Sequence, residues 1–263
     1  MNHTSHTICR VFAILLCGIA ASLPAAAPAD PWVDSRVFGP FVCRADFVLA
    51  PYESVFTDLA EIQHDLARRL GLPPAQERIE LYLFRDQAAY QAYLQQWFPK
   101  MPYRRALYVK NRGPGMVLAY RSEELAVDVR HECTHALLHA VLPMVPLWLD
   151  EGLAEYFEIP ASRRLLDNPH HSTLVWHFRL GQVPRLDRLE AIHELDQMGR
   201  SEYRHAWAWA HFLLHGPDPA RQVLIDYLAD IRAAAPPGQI SQRLKLTYPD
   251  PEAAMVRHFK SLK

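Results

Sequence analysis

Apolar residues recur at intervals of three and four positions in several stretches of the chain, which is the periodicity of one buried helix face. The first clear stretch has its apolar positions at Val55, Leu59, Ile62, Leu66 and Leu70. Gly71 and the two prolines after it end this pattern, because glycine favours the end of a helix and proline cannot continue one. We therefore predict an amphipathic helix that ends at Leu70.

Other stretches alternate apolar and polar residues, as expected of strands with one buried face. Residues 79–83 alternate in this way and predict a strand, and Asp86 then opens a predicted helix that extends to Trp97. Residues 37–47 are apolar and aromatic, and because Gly39-Pro40 interrupts them they predict one or two short strands. Residues 106–110 and 116–120 flank a turn rich in glycine and proline and predict a β-hairpin.

The hairpin leads into helical sequence. Residues 125–138 are apolar at helical spacing and predict a buried helix that has ended by Pro143. A second helix is predicted over residues 146–158, with Pro146 in its first turn. Helical periodicity returns over residues 203–214, 223–231 and 252–262. Strands in the first half and helices in the second predict an α+β fold.

The first 29 residues have the outline of a secretory signal peptide. A polar start with Arg10 is followed by an apolar run over residues 11–21 and an alanine-rich segment, and we predict cleavage after Ala29. The apolar run is shorter than the roughly 20 residues that a membrane-spanning helix needs. We therefore expect an exported mature chain of residues 30–263, periplasmic or secreted, without a membrane span.

Composition narrows the classes of partner. Half of the chain is hydrophobic and its formal net charge is -1, which is typical of an ordinary globular protein and argues against nucleic acid as a partner. Cys43 and Cys133 remain after removal of the signal peptide. They could form a disulfide in an oxidising compartment, or Cys133 could stay a buried thiol, and the sequence leaves both alternatives open. It also leaves the oligomeric state open.

Candidate chemistry lies in the helix predicted over residues 125–138, which contains His131-Glu132-Cys133-Thr134-His135. Residues four apart stand on the same helix face, so both imidazoles can reach one metal ion. A catalytic zinc ion held by two histidines needs a third protein ligand and a position for water, and a carboxylate beside that water can act as general base. Glu132 is the candidate base.

The third ligand is expected on the next helix. Two helices joined by a short turn pack against each other, so a carboxylate early in the second helix can meet the histidines of the first. Glu151 has this position. The prediction is one Zn²⁺ ion bound by His131, His135 and Glu151, in a metal-dependent hydrolase.

These motifs resemble the gluzincin zinc metallopeptidases, the thermolysin- and aminopeptidase-like zincins, and in particular the peptidase MA-like domain group. The resemblance rests on His131-Glu132-x-x-His135 and, after fifteen residues, on Glu151 in Trp148-Leu149-Asp150-Glu151-Gly152-Leu153-Ala154. It implies the same three zinc ligands, with Glu132 as base. It also implies a zincin-like domain in which a strand-bearing N-terminal lobe, 30–142, and a helical C-terminal lobe, 143–263, face each other across the active-site helix.

The resemblance implies a further catalytic group on a later helix. Gluzincins often stabilise the oxyanion with a tyrosine that starts a helix resembling Tyr-x-x-Gly-x-x-Leu-x-x-x-Leu. Tyr203 matches the first place and Leu213 the last, whereas Ala206 stands in the place of the glycine. A catalytic role for Tyr203 is thus implied, and His205 is the alternative donor.

The resemblance also concerns the strand before the active-site helix, which in gluzincins forms the rim of the cleft. It implies that residues 115–120 form this rim, to which an extended peptide could add by main-chain hydrogen bonds. The alternative is that these residues are only a strand of the sheet. Aminopeptidase relatives carry Gly-x-Met-Glu-Asn there, whose glutamate holds the free amine of the substrate. The chain reads Gly115-Met116-Val117-Leu118-Ala119 instead and lacks that acid, so the resemblance does not extend to aminopeptidase activity.

Zinc-bound histidines usually donate their second ring N–H to a carboxylate or carbonyl. Glu155 and Glu158 are both candidates for this role, and Glu158 is slightly favoured because it matches a family glutamate. His139 continues the stripe of His131 and His135, but eight helical residues span about 12 Å, too far for one ion to bind both His131 and His139. We therefore expect His139 to be a packed or partly exposed core histidine.

The expected function is an exported zinc-dependent metallopeptidase that hydrolyses bonds in a peptide or protein substrate. Two alternatives stay open: a catalytically silent, zinc-containing scaffold protein of the cell envelope, and a cell-wall amide hydrolase. Glu132 favours an enzyme over the scaffold, because a purely structural zinc site has no need of a base.

Overall fold

The computed structural model describes residues 31–111 and 113–262. The signal peptide predicted for residues 1–29 lies outside the described residues. None of the helices in the described part is both long enough and apolar enough to cross a bilayer.

The strands form one five-stranded sheet with the order β1-β2-β3-β5-β4. The strands are β1 (Asp34–Phe38), β2 (Phe41–Ala45), β3 (Ile79–Phe84), β4 (Ala106–Val109) and β5 (Gly115–Tyr120). The three inner strands β2, β3 and β5 run parallel, whereas β1 and β4 pair antiparallel to their neighbours through hairpins. The strands predicted over 37–47, 79–83 and the hairpin are confirmed.

The prediction that residues 115–120 form the exposed rim of the cleft is wrong. The strand β5, residues 115–120, lies inside the sheet, where it pairs with β3 on one side and with β4 on the other. The crossover from β3 brings β5 into parallel pairing, so the antiparallel β4 is left outermost. The edge strand of the sheet beside the candidate site is therefore Ala106–Val109.

Ten α-helices and two short 3₁₀ helices, Ala50–Tyr52 and Leu195–Gln197, complete the described fold. The α-helices are α1 (Glu53–Leu70), α2 (Gln87–Trp97), α3 (Leu125–Val141), α4 (Leu147–Phe157), α5 (His170–Arg179), α6 (Leu186–Glu190), α7 (Arg200–His215), α8 (Asp218–Arg232), α9 (Ile240–Thr247) and α10 (Pro251–Ser261). The predicted helices correspond to α1, α2, α3, α4, α7, α8 and α10, and Asp86 caps the start of α2 as predicted. The sequence did not predict α5, α6 and α9. One sheet combined with many helices confirms the α+β class.

The two faces of the sheet pack against different helices. Leu81 and Leu83 of β3 join the main buried cluster, which α1, α3, α4 and α7 complete. Tyr82 and Phe84 point to the other face, where α2 covers a smaller aromatic cluster. The alternation along β3 thus places α3, with its histidines, on the main-core side of the sheet.

Helices α4 and α7 approach each other closely at Gly152. A Cβ atom on Gly152 would lie 2.5 Å from the carbonyl oxygen of Ala206 and 2.8 Å from its carbonyl carbon. Only a residue without a side chain allows this approach, because two backbones cannot yield as a flexible side chain would. The contact brings the first turn of α7, which carries Tyr203, toward Glu151 on α4.

A cluster of three histidines, of which His211 and His258 are buried and His215 is half-buried, joins α7 to α10. His211 contacts the Leu165 carbonyl oxygen through Nε2 at 3.0 Å, and its Nδ1 lies 3.0 Å from Nε2 of His258. Since a carbonyl only accepts, neutral His211 donates from Nε2 and accepts at Nδ1, so His258 donates from Nε2. The third imidazole, His215, lies 2.7 Å from the hydroxyl of Tyr156 through its Nε2.

Burial keeps these imidazoles uncharged. Burial, with repulsion from His215, lowers the pKa of His211 to about 3. Burial and the positive charge of Arg69 lower the pKa of His215 to about 4, and burial lowers that of His258 to about 4. The folded chain thus binds these protons only at a lower pH than the unfolded chain does.

We predict that Gly152→Ala lowers the free energy of unfolding by about 2 kcal/mol, because the added methyl group forces two helix backbones apart. Urea denaturation followed by circular dichroism measures this change. Gly113→Ala is the matched control, since a Cβ there meets nothing within 4 Å. Equal stability of Gly152→Ala and the wild type would contradict the close approach.

We also predict that stability falls as the pH is lowered from 6.5 toward 4. In this window the unfolded chain protonates the three histidines and the folded chain does not, so each costs up to about 1.4 kcal/mol per pH unit. Above pH 6.5 the histidines are neutral in both states and contribute no slope.

Urea denaturation at pH 5.0, 5.5, 6.0 and 6.5 tests this dependence. The variant His258→Gln keeps a donor for His211 but removes one titrating group, so its stability should depend less steeply on pH. The control is His64→Gln at an exposed histidine of α1. A slope of His258→Gln equal to that of the wild type would exclude His258 as a source of the acid sensitivity.

Candidate metal centre

Helix α3 brings His131 and His135 together as the sequence predicts. The two residues are one turn apart, and their ring centroids lie 4.9 Å from each other. His135 is buried and His131 is half-buried. Helix α3 packs on β4 and β5, which encloses the histidine face between the sheet and α4.

Glu151 completes the predicted group. The turn between α3 and α4 contains Pro143 and Pro146 and folds α4 back along α3. The Glu151 Oε2 atom lies 3.6 Å from His131 Nε2 and 3.8 Å from His135 Nε2. One ligand atom from each of the three residues lies within 4.8 Å of the other two.

The donor set fits a zinc ion. Ligands bound at 2.0–2.1 Å in a tetrahedral arrangement lie about 3.4 Å apart, close to the separations of both Nε2 atoms from Glu151 Oε2. Two imidazoles and one carboxylate also match the composition of catalytic zinc sites, which use three protein ligands. The geometry thus makes this group a candidate metal centre.

The opposite ring nitrogens contact carboxylates. His131 Nδ1 lies 3.0 Å from Glu158 Oε2, and His135 Nδ1 lies 2.9 Å from Asp150 Oδ1. The His131 contact has the geometry of a hydrogen bond, whereas the His135 contact is at ion-pair distance without that geometry. A carboxylate beside Nδ1 favours the proton there and leaves the Nε2 lone pair for a metal. Both rings therefore present the correct nitrogen to the same point.

Glu158 is the acid that contacts His131, whereas Glu155 lies 3.0 Å from His170 Nε2. Glu158 is at the end of α4, where its own carbonyl accepts a hydrogen bond from Arg130 Nε. Arg130 also reaches Asp58 of α1 at 2.9 Å. Glu155 and Glu158 lie near enough to His131 to form a second possible ligand group, but each already contacts a histidine.

Asp150 is a site residue that sequence reasoning missed. It is the residue directly before Glu151, and its side chain reaches back to α3. The sequence feature that could have indicated Asp150 was its position in the motif Trp148–Ala154. However, a residue adjacent to a ligand on a helix points about 100° away from that ligand. Only the packing angle of α4 on α3 shows that this direction meets His135.

The surrounding acids make the site strongly attractive to a cation. Burial lowers the pKa of His131, but Glu151 and Glu158 outweigh it and raise this pKa well above its usual value. Burial also lowers the pKa of His135, but the negative charges of Asp150 and Glu151 outweigh burial and raise this pKa to about 9. Burial raises the pKa of Asp150, yet His135 and His139 hold it well below its usual range.

Glu132, the candidate base, follows His131 on α3 and is half-buried. Among the described residues it makes no hydrogen bond or ion pair, unlike Asp150, Glu155 and Glu158. Its negative charge contributes to the raised pKa values of His131 and Tyr90. An unpaired carboxylate directly after a ligand candidate is suited to accept a proton.

Tyr203 is on the first turn of α7 and half-buried. Burial and the negative charge of Glu151 raise its pKa to about 12, against the opposing effect of Arg104. The hydroxyl is thus protonated at neutral pH and available as a donor. Burial lowers the pKa of His205, the alternative donor, and Glu202 opposes this effect.

The remaining candidates have structural roles. Cys43 and Cys133 are buried free thiols, and burial raises the pKa of Cys43 to about 12. His139 contacts Asp150 Oδ2 at 2.9 Å and does not belong to the group around Glu151.

No protein-family model matches the chain, and no curated protein matches it either.

Proposed function

We propose that the chain is an exported, zinc-dependent metallopeptidase of the gluzincin type, with Zn²⁺ held by His131, His135 and Glu151. The observation that carries this proposal is the convergence of two Nε2 atoms on one Glu151 oxygen, while Glu158 and Asp150 contact the opposite nitrogens. Zinc in such a site would polarise a carbonyl and lower the pKa of a water molecule.

The residues of the chain supply the proton transfers. Glu132 takes the proton of the attacking water and passes it to the amine that leaves, which needs a carboxylate free of other partners. Tyr203 donates its hydroxyl proton in a hydrogen bond to the oxyanion, and its pKa of about 12 keeps it protonated at neutral pH. The peptide bond then breaks with the proton delivered to nitrogen.

The edge strand supports a peptide as the substrate class. Among the described strands, β4 pairs only with β5. The backbone groups on its other edge can therefore form hydrogen bonds with an extended peptide. Tyr108 of β4 stacks on the His135 ring at 6.5 Å between centroids, so this edge runs beside the proposed metal. A peptide added to β4 would have its backbone over the site.

Two further features of the proposal come from the sequence. The predicted signal peptide supports a periplasmic or secreted location. The motif order supports a zincin-like domain, in which the lobe 30–142 includes α3 and the helical lobe 143–263 faces it.

We predict that residues 30–263, loaded with zinc and desalted, retain about one zinc per chain, and that His135→Ala loses it because one of three protein ligands is gone. Elemental analysis gives the ratio. His193→Ala, at an exposed histidine outside the group, should retain zinc and serves as the control. A folded wild-type chain without bound zinc would refute the metal centre.

We predict that Glu132→Gln retains zinc but hydrolyses peptides about 100-fold or more slowly, since the amide cannot accept the proton. Mass spectrometry of a mixed peptide library, an unfolded protein and cell-wall fragments measures cleavage. The matched control is Glu123→Gln, at an exposed glutamate before α3. Cleavage by Glu132→Gln at the wild-type rate would exclude Glu132 as base, and cleavage of cell-wall fragments alone would exclude a peptidase.

A further inference from the structure

We propose that His139 is a positioning residue for the metal centre: it holds Asp150, and Asp150 holds the ring of His135. This inference rests on the proposed zinc site. His135 Nδ1 lies 2.9 Å from Asp150 Oδ1, and His139 Nε2 lies 2.9 Å from Asp150 Oδ2. The two carboxylate oxygens of one aspartate thus contact two histidines one turn apart on α3.

The second contact matters because a carboxylate held by one oxygen can still rotate. With His139 at Oδ2, the plane of the Asp150 carboxylate is fixed, and so is the direction in which Oδ1 meets His135. All three side chains are mostly shielded, with exposed fractions of 9% for His135, 13% for Asp150 and 24% for His139. Water therefore replaces neither contact easily.

Strand β4 in turn holds His139. The Tyr108 ring stacks on the His139 ring with centroids 5.7 Å apart and planes 24° apart. It stacks on His135 as well, with planes 18° apart. Lys110, just after β4, donates a hydrogen bond from Nζ to the His139 carbonyl at 3.0 Å. The edge strand thus packs against both histidines that contact Asp150.

Gly115 leaves the room that this stack needs. A Cβ atom at Gly115 would lie 3.0 Å from Cε2 and 3.3 Å from the hydroxyl oxygen of Tyr108. A side chain there would push Tyr108 toward the histidines or away from them. The first residue of β5 thus belongs to the same support.

The consequence is a change in metal affinity. Loss of an outer partner of a zinc ligand typically weakens binding 10- to 100-fold. His139 acts one step further out, through Asp150, so we expect the lower end of that range. Without His139, Asp150 keeps its charge beside His135 but loses its fixed orientation.

The test compares His139→Leu, which has no donor, with His139→Gln, whose amide can donate near the position of Nε2. Zinc dissociation constants are measured at pH 7.5 by competition with a chromophoric chelator. We expect about tenfold weaker binding for His139→Leu, and binding within about threefold of the wild type for His139→Gln. His193→Leu is the control for the loss of a histidine outside the site.

A second readout separates positioning from general structural damage. Co²⁺ replaces zinc in such sites, and its visible spectrum reports ligand geometry. His139→Leu should change this spectrum while circular dichroism of the metal-free protein stays the same, and His139→Gln should restore it.

The outcomes distinguish this inference from the proposed function. No zinc bound by the wild type refutes the metal centre itself. Zinc bound equally by the wild type and His139→Leu, with equal cobalt spectra, leaves the metal centre intact and overturns the role of His139. If His139→Leu does not fold, His139→Asn takes its place, because the amide of this shorter side chain does not reach Asp150. Equal zinc affinity of His139→Asn and His139→Gln would then overturn the proposal.

Discussion

The candidate site depends on one constraint: ionisable side chains buried between two helices must satisfy one another. His131 and His135 stand on α3, and α4 brings acids to both sides of each ring. A buried imidazole or carboxylate without a partner would cost several kcal/mol. The short proline-containing turn between the helices removes that cost by setting α4 at the distance where every ring nitrogen faces a carboxylate.

The rest of the molecule maintains this helix pair. Arg130 links the end of α4 to Asp58 on α1, so the acid that contacts His131 is fixed from the far side of the core. Gly152 lets α7 lie against α4, which brings Tyr203 within the electrostatic reach of Glu151. On the side of the sheet, Arg105 binds Asp128 of α3 through two hydrogen bonds of 2.7 Å and fixes the start of β4 over the helix.

A continuous set of contacts connects the sheet to His135, a candidate metal ligand. Gly115 gives Tyr108 its place, Tyr108 stacks on His139, and Asp150 joins His139 to His135. The strand whose edge is proposed to bind a substrate is therefore the strand that packs on His135 and His139. In the proposed enzyme, substrate binding along β4 and the orientation of His135 depend on a common set of contacts.

The sequence by itself determined the features set by local geometry. The spacing of His131 and His135 predicted one helix face, and the short turn predicted that Glu151 would meet it. Alternation predicted β3, and a turn rich in glycine and proline predicted the hairpin. Tertiary structure decided which partners meet across the fold: Glu158 rather than Glu155 at His131, Asp150 at both His135 and His139, and β4 rather than β5 at the edge. Helical periodicity fixes directions within one element, whereas the packing angle of α4 and the crossover from β3 arise from contacts between residues far apart in the chain.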